Sequence, residues 1–121
     1  MIKGLRISTI WSEDLTKLLP FYRDVLGMPV SLETPAFVIL GDQNAAAVAL
    51  GTHSEVHGKA KEPQRHIVGL ETDDIKAEYA RLKGVGVEFL EQPQEGGAVA
   101  FATFRDPEGN LLQLLQYNAS M

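Results

Sequence analysis

Two of the three histidines lie close together in a polar segment where they could bind a metal ion. His53 and His57 are four positions apart, with Glu55 between them. On one face of a helix this spacing brings two imidazole groups together, and imidazole is a good ligand for divalent transition metals. Glycines on both sides of the segment and a following proline are unfavourable to a helix. We therefore interpret residues 52–64 as a solvated linker.

Other catalytic chemistry has few candidates in this sequence. There is no cysteine, so the chain offers no thiolate nucleophile, zinc finger or disulfide framework. No serine lies in a Gly-x-Ser-x-Gly context, and no glycine-rich phosphate-binding loop is present. Glu71 would act as an acid or base only inside an apolar cleft, and the alternative is an exposed carboxylate at a strand end.

Size and charge restrict the function further. The chain has 121 residues, of which 45% are hydrophobic and 22% are charged, as expected for one globular domain. The net charge of −5 repels phosphate backbones and anionic membrane surfaces. We expect no nucleic-acid partner, no membrane partner and a cytoplasmic location, since no export signal or long apolar stretch is visible.

The elements that position these residues occur twice along the chain. Residues 5–15 align with residues 65–75 at an offset of 60, pairing isoleucines and acidic pairs. Each half begins with a short strand that runs into a hydroxyl residue and two acids, a typical helix start. Gly27 and Gly84 are expected to end the two helices, and Pro20 is expected to kink or divide the first.

Each helix is followed by short runs typical of strands, so the repeated unit is β-α-β-β-β. The predicted strands after the helices span residues 28–33, 36–40 and 45–50, then 87–90, 98–104 and 111–117. The fold class is α+β: one domain, 1–121, with module one at 1–51, the linker at 52–64 and module two at 65–121. We expect a curved mixed sheet, an incomplete barrel with the helices outside, and a cleft between the modules.

Three motifs in this order resemble the vicinal oxygen chelate superfamily, also called the glyoxalase, bleomycin resistance protein and dioxygenase superfamily. The first is Asp14-Leu15 followed by residues 21–27 (FYRDVLG). The others are residues 69–75 (GLETDDI) and 104–111 (FRDPEGNL). The resemblance covers the whole chain and implies the glyoxalase-like fold and a homodimer.

The resemblance also implies where a metal site would lie. Enzymes of this superfamily hold a divalent metal ion with four side chains, and those positions fall here on Ile7, Ala49, Ile67 and Gln113. The first three cannot coordinate a metal, and the neutral amide of Gln113 is a weak ligand. No cofactor is therefore expected. The alternative is one divalent metal ion bound by His66 and Gln113, which requires a strand register shifted by one residue.

The expected cleft lining suits a small organic molecule better than a metal ion. It is apolar with few polar groups, and Trp11 would either stack on a flat or cationic ligand or fill the cleft as core. Glu71 and Gln113 would orient the ligand through hydrogen bonds. The predicted ligand-binding residues are Ile7, Thr9, Trp11, Ile67, Glu71, Gln113, Leu115 and Tyr117.

These observations favour a metal-free binding protein related to the bleomycin resistance branch of the superfamily. One alternative is a metal-dependent lyase, isomerase or ring-cleaving dioxygenase, and an enzyme here would be a glyoxalase-type lyase or an extradiol-type dioxygenase. The other alternative is a non-catalytic dimeric subunit with a vestigial cleft.

Overall fold

The computed structural model describes residues 1–42 and 45–117 of the chain. The chain divides into two compact units, Met1–Gly58 and a second unit that begins at Lys59. Residues 118–121 of the expected second module lie outside the described residues. Each unit is described below by itself.

The first unit contains one mixed sheet of four strands. The strands are β1 (Ile7–Ser12), β2 (Val30–Glu33), β3 (Phe37–Leu40) and β4 (Ala47–Thr52). Their order in the sheet is β1-β4-β3-β2, with β1 parallel to β4 and the other pairs antiparallel. The last strand of the unit therefore lies between the first and the third.

The second unit repeats this arrangement. Its strands are β5 (Ile67–Glu71), β6 (Gln94–Gly96), β7 (Val99–Arg105) and β8 (Leu111–Tyr117). Their order is β5-β8-β7-β6, and again the first and last strands are parallel. The two mixed sheets confirm the predicted α+β, glyoxalase-like fold class.

The helical segment of the first unit is interrupted, as Pro20 predicts. A short helix α1 (Leu18–Pro20) passes directly into a π-helical turn at Phe21–Val25. The proline has no N–H to donate, which disfavours a continuous α-helix across this position. Gly27 follows with a φ of +75°, so it ends the segment in the left-handed conformation that glycine tolerates.

The second helix begins slightly later than the sequence pattern indicates and ends at the predicted residue. Helix α2 spans Ile75–Gly84, and Asp74 caps it by accepting a hydrogen bond from the backbone N–H of Ala77. The prediction that Gly84 ends the helix is confirmed, although Gly84 itself does not have a positive φ. The glycine with a positive φ is Gly86, at +96°, the residue that aligns with Gly27 in the repeat.

One predicted strand of the second module is misplaced. Residues 87–90 form only an isolated bridge between Phe89 and Phe104, and the edge strand is β6 at Gln94–Gly96. The apolar run at 87–90 instead packs under α2, where Val87 is buried and the Phe89 ring lies 4.7 Å from that of Tyr79. A short apolar run is equally compatible with a strand and with a core segment.

Each sheet buries one face in a core. In the first unit the buried side chains include Ile10, Leu18, Tyr22, Val38, Leu40 and Leu50. In the second they include Ile75, Leu82, Phe104, Leu112 and Leu114. Because strand neighbours point to opposite faces, the remaining residues of each strand form a second face, and those two faces carry the candidate site. Within the described ranges, no helix is long and apolar enough to cross a membrane.

Candidate ligand-binding surfaces

The candidate surface of the first unit is the face of its sheet opposite the buried core, here called the sheet-1 face. Strand pairing places Thr9 beside Ala49, Trp11 beside Gly51 and Gly51 beside Phe37. Its side chains are uncharged, and those on β4 are small. The members are Ile7, Thr9, Trp11, Leu32, Phe37, Ile39, Ala47, Ala49 and Gly51.

The indole of Trp11 lies over the backbone of the neighbouring strand at Gly51. A Cβ atom added to Gly51 would be 2.5 Å from Cζ3 of Trp11 and 3.1 Å from Cδ1 of Phe37. Real Cβ atoms do not come so close to carbon, so a glycine is required here for the ring to lie over this strand. The absence of a side chain at position 51 thus sets the position of Trp11.

Two further rings surround Trp11. The Phe37 ring centroid is 6.2 Å away with a tilted orientation, and the His53 ring is 5.7 Å away and nearly perpendicular. These distances fall in the range of favourable aromatic contacts. Trp11 nevertheless keeps 44% of its surface exposed. Trp11, Phe37 and His53 therefore form an aromatic cluster in which the tryptophan is exposed.

The segment after β4 is held against the end of β1 by hydrogen bonds. The backbone N–H of His53 donates to the carbonyl oxygen of Ser12 over 3.0 Å. The Glu13 carboxylate accepts a hydrogen bond from the Gly58 N–H at 3.2 Å and meets Nδ1 of His57 at 3.4 Å. Both contacts hold the pKa of Glu13 below its ordinary value, and the Gly58 N–H contributes most.

The expected helix start at residues 12–14 has become a tight polar turn. The buried Ser12 hydroxyl accepts from the Asp14 N–H and donates to the Asp14 carbonyl. The Asp14 carboxylate accepts from the Thr16 N–H at 2.8 Å, which lowers the pKa of Asp14. This turn ends β1 directly after Trp11 and fixes the direction of the chain beside the aromatic cluster.

In the second unit, the sheet-2 face carries the remaining predicted ligand-binding residues. Strand pairing places Gly69 beside Gln113 and Glu71 beside Leu115, with Thr103 on the other side of Gln113. The other members of this face are Ile67, Val99, Phe101, Arg105, Leu111 and Tyr117. The predicted residues of β5 and β8 therefore share one face.

Gly69 has the same role in this sheet that Gly51 has in the other. A Cβ atom at Gly69 would be 2.6 Å from Cδ1 of Leu115, so the leucine side chain lies over β5. Glu71 and Tyr117 at the strand ends are exposed, the tyrosine by 47%. Leu115 thus lies beside Gly69, which itself stays exposed on the sheet-2 face.

The Gln113 side chain is hydrogen-bonded to its neighbour Thr103 on the adjacent strand. Nε2 of Gln113 donates a hydrogen bond to Oγ1 of Thr103 over 3.1 Å, and Thr103 is buried. The backbone N–H of Thr103 in turn donates to Oε1 of Glu91 over 2.8 Å. No described residue donates to Oε1 of Gln113, and no local pattern in the sequence predicts this chain of hydrogen bonds.

The positions implied by the family's metal site carry no ligand set. Ile7 and Ala49 lie on the sheet-1 face, and Ile67 and Gln113 lie on the sheet-2 face. His66 is exposed and precedes β5, with its N–H directed to the carbonyl of Pro63. Among the residues that the structure describes, no group of three or more His, Cys, Asp or Glu side chains could hold a metal ion.

The histidines of the predicted linker do not form a chelating pair. The Nδ1 atom of His53 accepts a hydrogen bond from the Glu55 N–H, while His57 contacts Glu13. Sequence reasoning placed His53 in solvent and omitted Phe37. Phe37 stands at the start of a predicted strand, so alternation along β3 could have placed it on a sheet face, but only the cross-strand register places it beside Trp11.

The third motif of the family resemblance is a structural turn. The buried Asp106 carboxylate accepts hydrogen bonds from the N–H groups of Glu108 and Asn110 and from the Asn110 side chain. Gly109 adopts a φ of +80°, as the turn requires. This motif therefore fixes the connection between β7 and β8 and holds Gln113 in register.

Comparison with known proteins agrees with this fold. A family model described as the Glyoxalase/Bleomycin resistance protein/Dioxygenase superfamily matches residues 5–114. The protein YurT of Bacillus subtilis strain 168 is 33% identical and covers 91% of this chain and 96% of its own length. A Vibrio parahaemolyticus protein named as a probable lactoylglutathione lyase is 30% identical and covers 85% of this chain and 83% of its own.

Among solved structures, one similar fold is that of TnmS3, an antibiotic binding protein from Streptomyces sp. CB03234. It superimposes with a TM-score of 0.76 over 97% of this chain and 98% of its own, at 22% sequence identity. At this identity the likeness shows the fold.

Proposed function

Because the chain belongs to the glyoxalase/bleomycin resistance protein/dioxygenase superfamily, we propose that it is a metal-free protein that binds a small, neutral, flat organic ligand. The observation that carries the proposal is the exposed aromatic cluster of Trp11, Phe37 and His53 on an uncharged sheet face. The cleft expected between the two modules stays a prediction.

The position of Trp11 supports binding through ring stacking. Its indole rests on the backbone at Gly51, so the ring is held in place before a ligand arrives. A rigid aromatic ring loses little conformational freedom on binding, and stacking contributes about 0.5–1.5 kcal/mol beyond the burial of surface. The antibiotic binding protein TnmS3 shares the fold, which is compatible with such a role.

The character of the sheet-1 face favours a neutral ligand. None of its side chains is charged, and its members on β4 are alanine and glycine. A charged group placed on this face would lose hydration without gaining a partner, which is unfavourable. Planar aromatic molecules without a formal charge are therefore the expected ligand class.

The first experiment is a fluorescence titration, which is clean because Trp11 is the single tryptophan of the chain. Phenazine, 9,10-anthraquinone and 2-naphthol are neutral and planar, and each would be added to the protein and to N-acetyltryptophanamide. At least one compound is expected to quench the fluorescence of the protein saturably, and not that of N-acetyltryptophanamide. Quenching that matches the free tryptophan derivative for all three compounds would contradict the proposal.

Variants then assign the binding to the aromatic cluster. Trp11→Ala, followed by calorimetry, is expected to weaken binding about tenfold, corresponding to about 1.4 kcal/mol. Trp11→Phe keeps an aromatic ring and should lose less. Val85→Ala removes a side chain that is 62% exposed in the second unit and serves as the matched control. Equal affinity of Trp11→Ala and Val85→Ala would remove Trp11 from the site.

A lyase is the second candidate, favoured by the relative named as a probable lactoylglutathione lyase. Isoleucine or alanine at positions 7, 49 and 67 argues against it, because these side chains cannot coordinate a metal ion.

The homodimer expected from the family resemblance also remains a proposal. Light scattering coupled to size exclusion would measure the mass against 13.3 kDa for one chain.

A further inference from the structure

His53 is the histidine of the aromatic cluster, and its ring can both stack and form directional hydrogen bonds. Its Nδ1 atom lies 3.1 Å from the backbone nitrogen of Glu55. A backbone N–H can only donate, so Nδ1 is the acceptor of this bond and carries no proton. In a neutral imidazole the single proton is then on Nε2. The contact with Glu55 thus makes Nε2 of His53 a hydrogen-bond donor.

The turn after β4 holds this imidazole beside Trp11. The His53 N–H donates to the carbonyl oxygen of Ser12 over 3.0 Å, and the His53 carbonyl oxygen accepts from the Val56 N–H over 3.1 Å. With the Glu55 contact, both the backbone and the ring of His53 are hydrogen-bonded. The imidazole centroid is 5.7 Å from the indole centroid, and the two planes meet at 75°. The donor therefore has a defined place next to the exposed tryptophan.

Nε2 of His53 is free to bond with a ligand. The residue is exposed, and no described residue forms a hydrogen bond with Nε2. The Glu13 carboxylate, which contacts a histidine of the same segment, is bonded to His57 and to the Gly58 N–H. Among the described residues no carboxylate forms an ion pair with His53, so nothing there favours its charged form. His53 therefore presents its N–H as a neutral group.

A flat ligand stacked on Trp11 would meet His53 with its edge. Stacked rings are close to parallel, and the imidazole is nearly perpendicular to the indole. The lone pairs of a carbonyl oxygen or of an aromatic ring nitrogen lie in the plane of the ring system, so they project from the edge of such a ligand. The hydroxyl of Thr9 on the same sheet face can donate and accept, so it does not select between the two kinds of group.

We infer that His53 selects, among flat neutral molecules, those that carry a hydrogen-bond acceptor on their edge, such as a carbonyl oxygen or a ring nitrogen. The inference rests on the proposed binding function and deepens it by naming the group that the ligand must present. All the residues it uses lie in the first unit. A hydrogen bond between two neutral groups fits the uncharged sheet-1 face, because no ionic group has to lose its hydration.

The first test needs no ligand. Long-range 1H–15N NMR correlations distinguish a protonated ring nitrogen from a bare one, and His53→Gln assigns the His53 signals among the three histidines. At about pH 8, where imidazole is neutral, we expect Nε2 of His53 to carry the proton. A proton on Nδ1 would overturn the inference, because Nε2 would then be an acceptor.

The second test compares two probes that differ only in their ring nitrogens. Quinoxaline is flat and neutral with nitrogen acceptors on its edge, and naphthalene has the same shape without them. By calorimetry, His53→Phe is expected to lower the affinity for quinoxaline, relative to that for naphthalene, about three- to tenfold, which corresponds to one net hydrogen bond. Phenylalanine keeps an aromatic ring beside Trp11 but offers no N–H. An unchanged ratio of the two affinities would overturn the inference.

Two amide variants separate the donor from the turn. His53→Asn can still accept the Glu55 N–H, as short amide side chains do in turns, but its N–H groups do not reach the position of Nε2. His53→Gln is longer, and its NH2 group can take the place of the Nε2–H group. The preference for quinoxaline should be largely kept in His53→Gln and lost in His53→Asn. A purely structural role of His53 predicts the reverse order.

Two further results would overturn the inference without touching the proposed function. One is loss of the preference for quinoxaline in Thr9→Val but not in His53→Phe, since the donor would then be the Thr9 hydroxyl. The other is absent quinoxaline binding by a native protein whose Trp11 is saturably quenched by one of the first three compounds. Failure of phenazine, 9,10-anthraquinone and 2-naphthol to quench Trp11 would instead overturn the proposed function, and the inference with it.

Discussion

The Trp11 indole lies over the neighbouring strand of the first unit because the residue beside it on that parallel strand is Gly51. The position that a Cβ atom would take at Gly51 is 2.5 Å from Cζ3 and 2.8 Å from Cε3 of the indole. The exposed aromatic cluster therefore depends on a residue that has no side chain. In the second unit Gly69 gives Leu115 the same space, so both sheets use a glycine to let a neighbour cover the backbone.

Gly51→Ala is expected to displace the indole and destabilise the protein. The added methyl group meets two ring carbons and the Phe37 ring, and overpacking of this kind costs about 1–3 kcal/mol. Denaturant unfolding would measure the loss, and the tryptophan emission maximum would report the new position of the ring.

Gly84→Ala is the matched control for that substitution. Gly84 lies in α2, and its added Cβ would meet nothing within 4 Å. Because alanine has a higher helix propensity than glycine, this variant should be stabilised by about 0.5–1 kcal/mol. Equal stability of Gly51→Ala and Gly84→Ala would contradict the account of Trp11.

Local patterns in the sequence were sufficient for the fold class and for the strand faces. The repeat at an offset of 60 predicted two β-α-β-β-β units, and both sheets have the same strand order. Alternation along β1 places Ile7, Thr9 and Trp11 on one face whatever their partners are. The interruption of the first helix at Pro20 and the positive φ of Gly27 follow from the restrictions on those two residue types.

Features that depend on long-range packing could not be predicted. Residues 87–90 have a strand-like pattern but pack under α2, with Phe89 between Tyr79 and Phe104. Helix α2 ends at Gly84 as predicted, but the left-handed residue after it is Gly86, two positions further along the chain. His53 joins Trp11 only because the segment after β4 turns back along β1, and no local spacing encodes that path.

The Glu13 carboxylate is expected to titrate below its ordinary pKa of 4.5. The Gly58 N–H and the His57 side chain both favour the charged form, with the N–H as the larger cause. Because the pKa is lowered in the folded state, the stabilisation is present above the unfolded value and is lost as the pH falls through the folded value. A carboxyl NMR titration would measure the midpoint.

His57→Ala separates the two causes. The Glu13 midpoint should rise in this variant but stay below 4.5, since the Gly58 N–H remains. A midpoint at or above 4.5 in the native protein would show that the segment after β4 does not rest on Glu13 in solution.

Asp106→Ala should destabilise the second unit by about 2–3 kcal/mol, because the buried carboxylate accepts three hydrogen bonds in the turn before β8. Thermal or denaturant unfolding would measure this. Asp24→Ala is the control: its carboxylate is exposed and paired with Arg23, and surface pairs of this kind contribute about 0–1 kcal/mol. Similar losses in the two variants would argue against a structural role for the Asp106 turn.

Metal content gives the most direct test of the metal-free proposal. The protein, purified without chelator, would be incubated separately with iron, nickel, manganese and zinc salts, desalted and measured by elemental analysis. We expect far less than one ion per chain, because Ile7, Ala49 and Ile67 offer no donor atom and Gln113 offers a single neutral one. A stoichiometric ion would contradict the proposal and revive the lyase or dioxygenase. His66→Ala would then show whether this histidine binds it, since loss of the ion in that variant requires the register shifted by one residue.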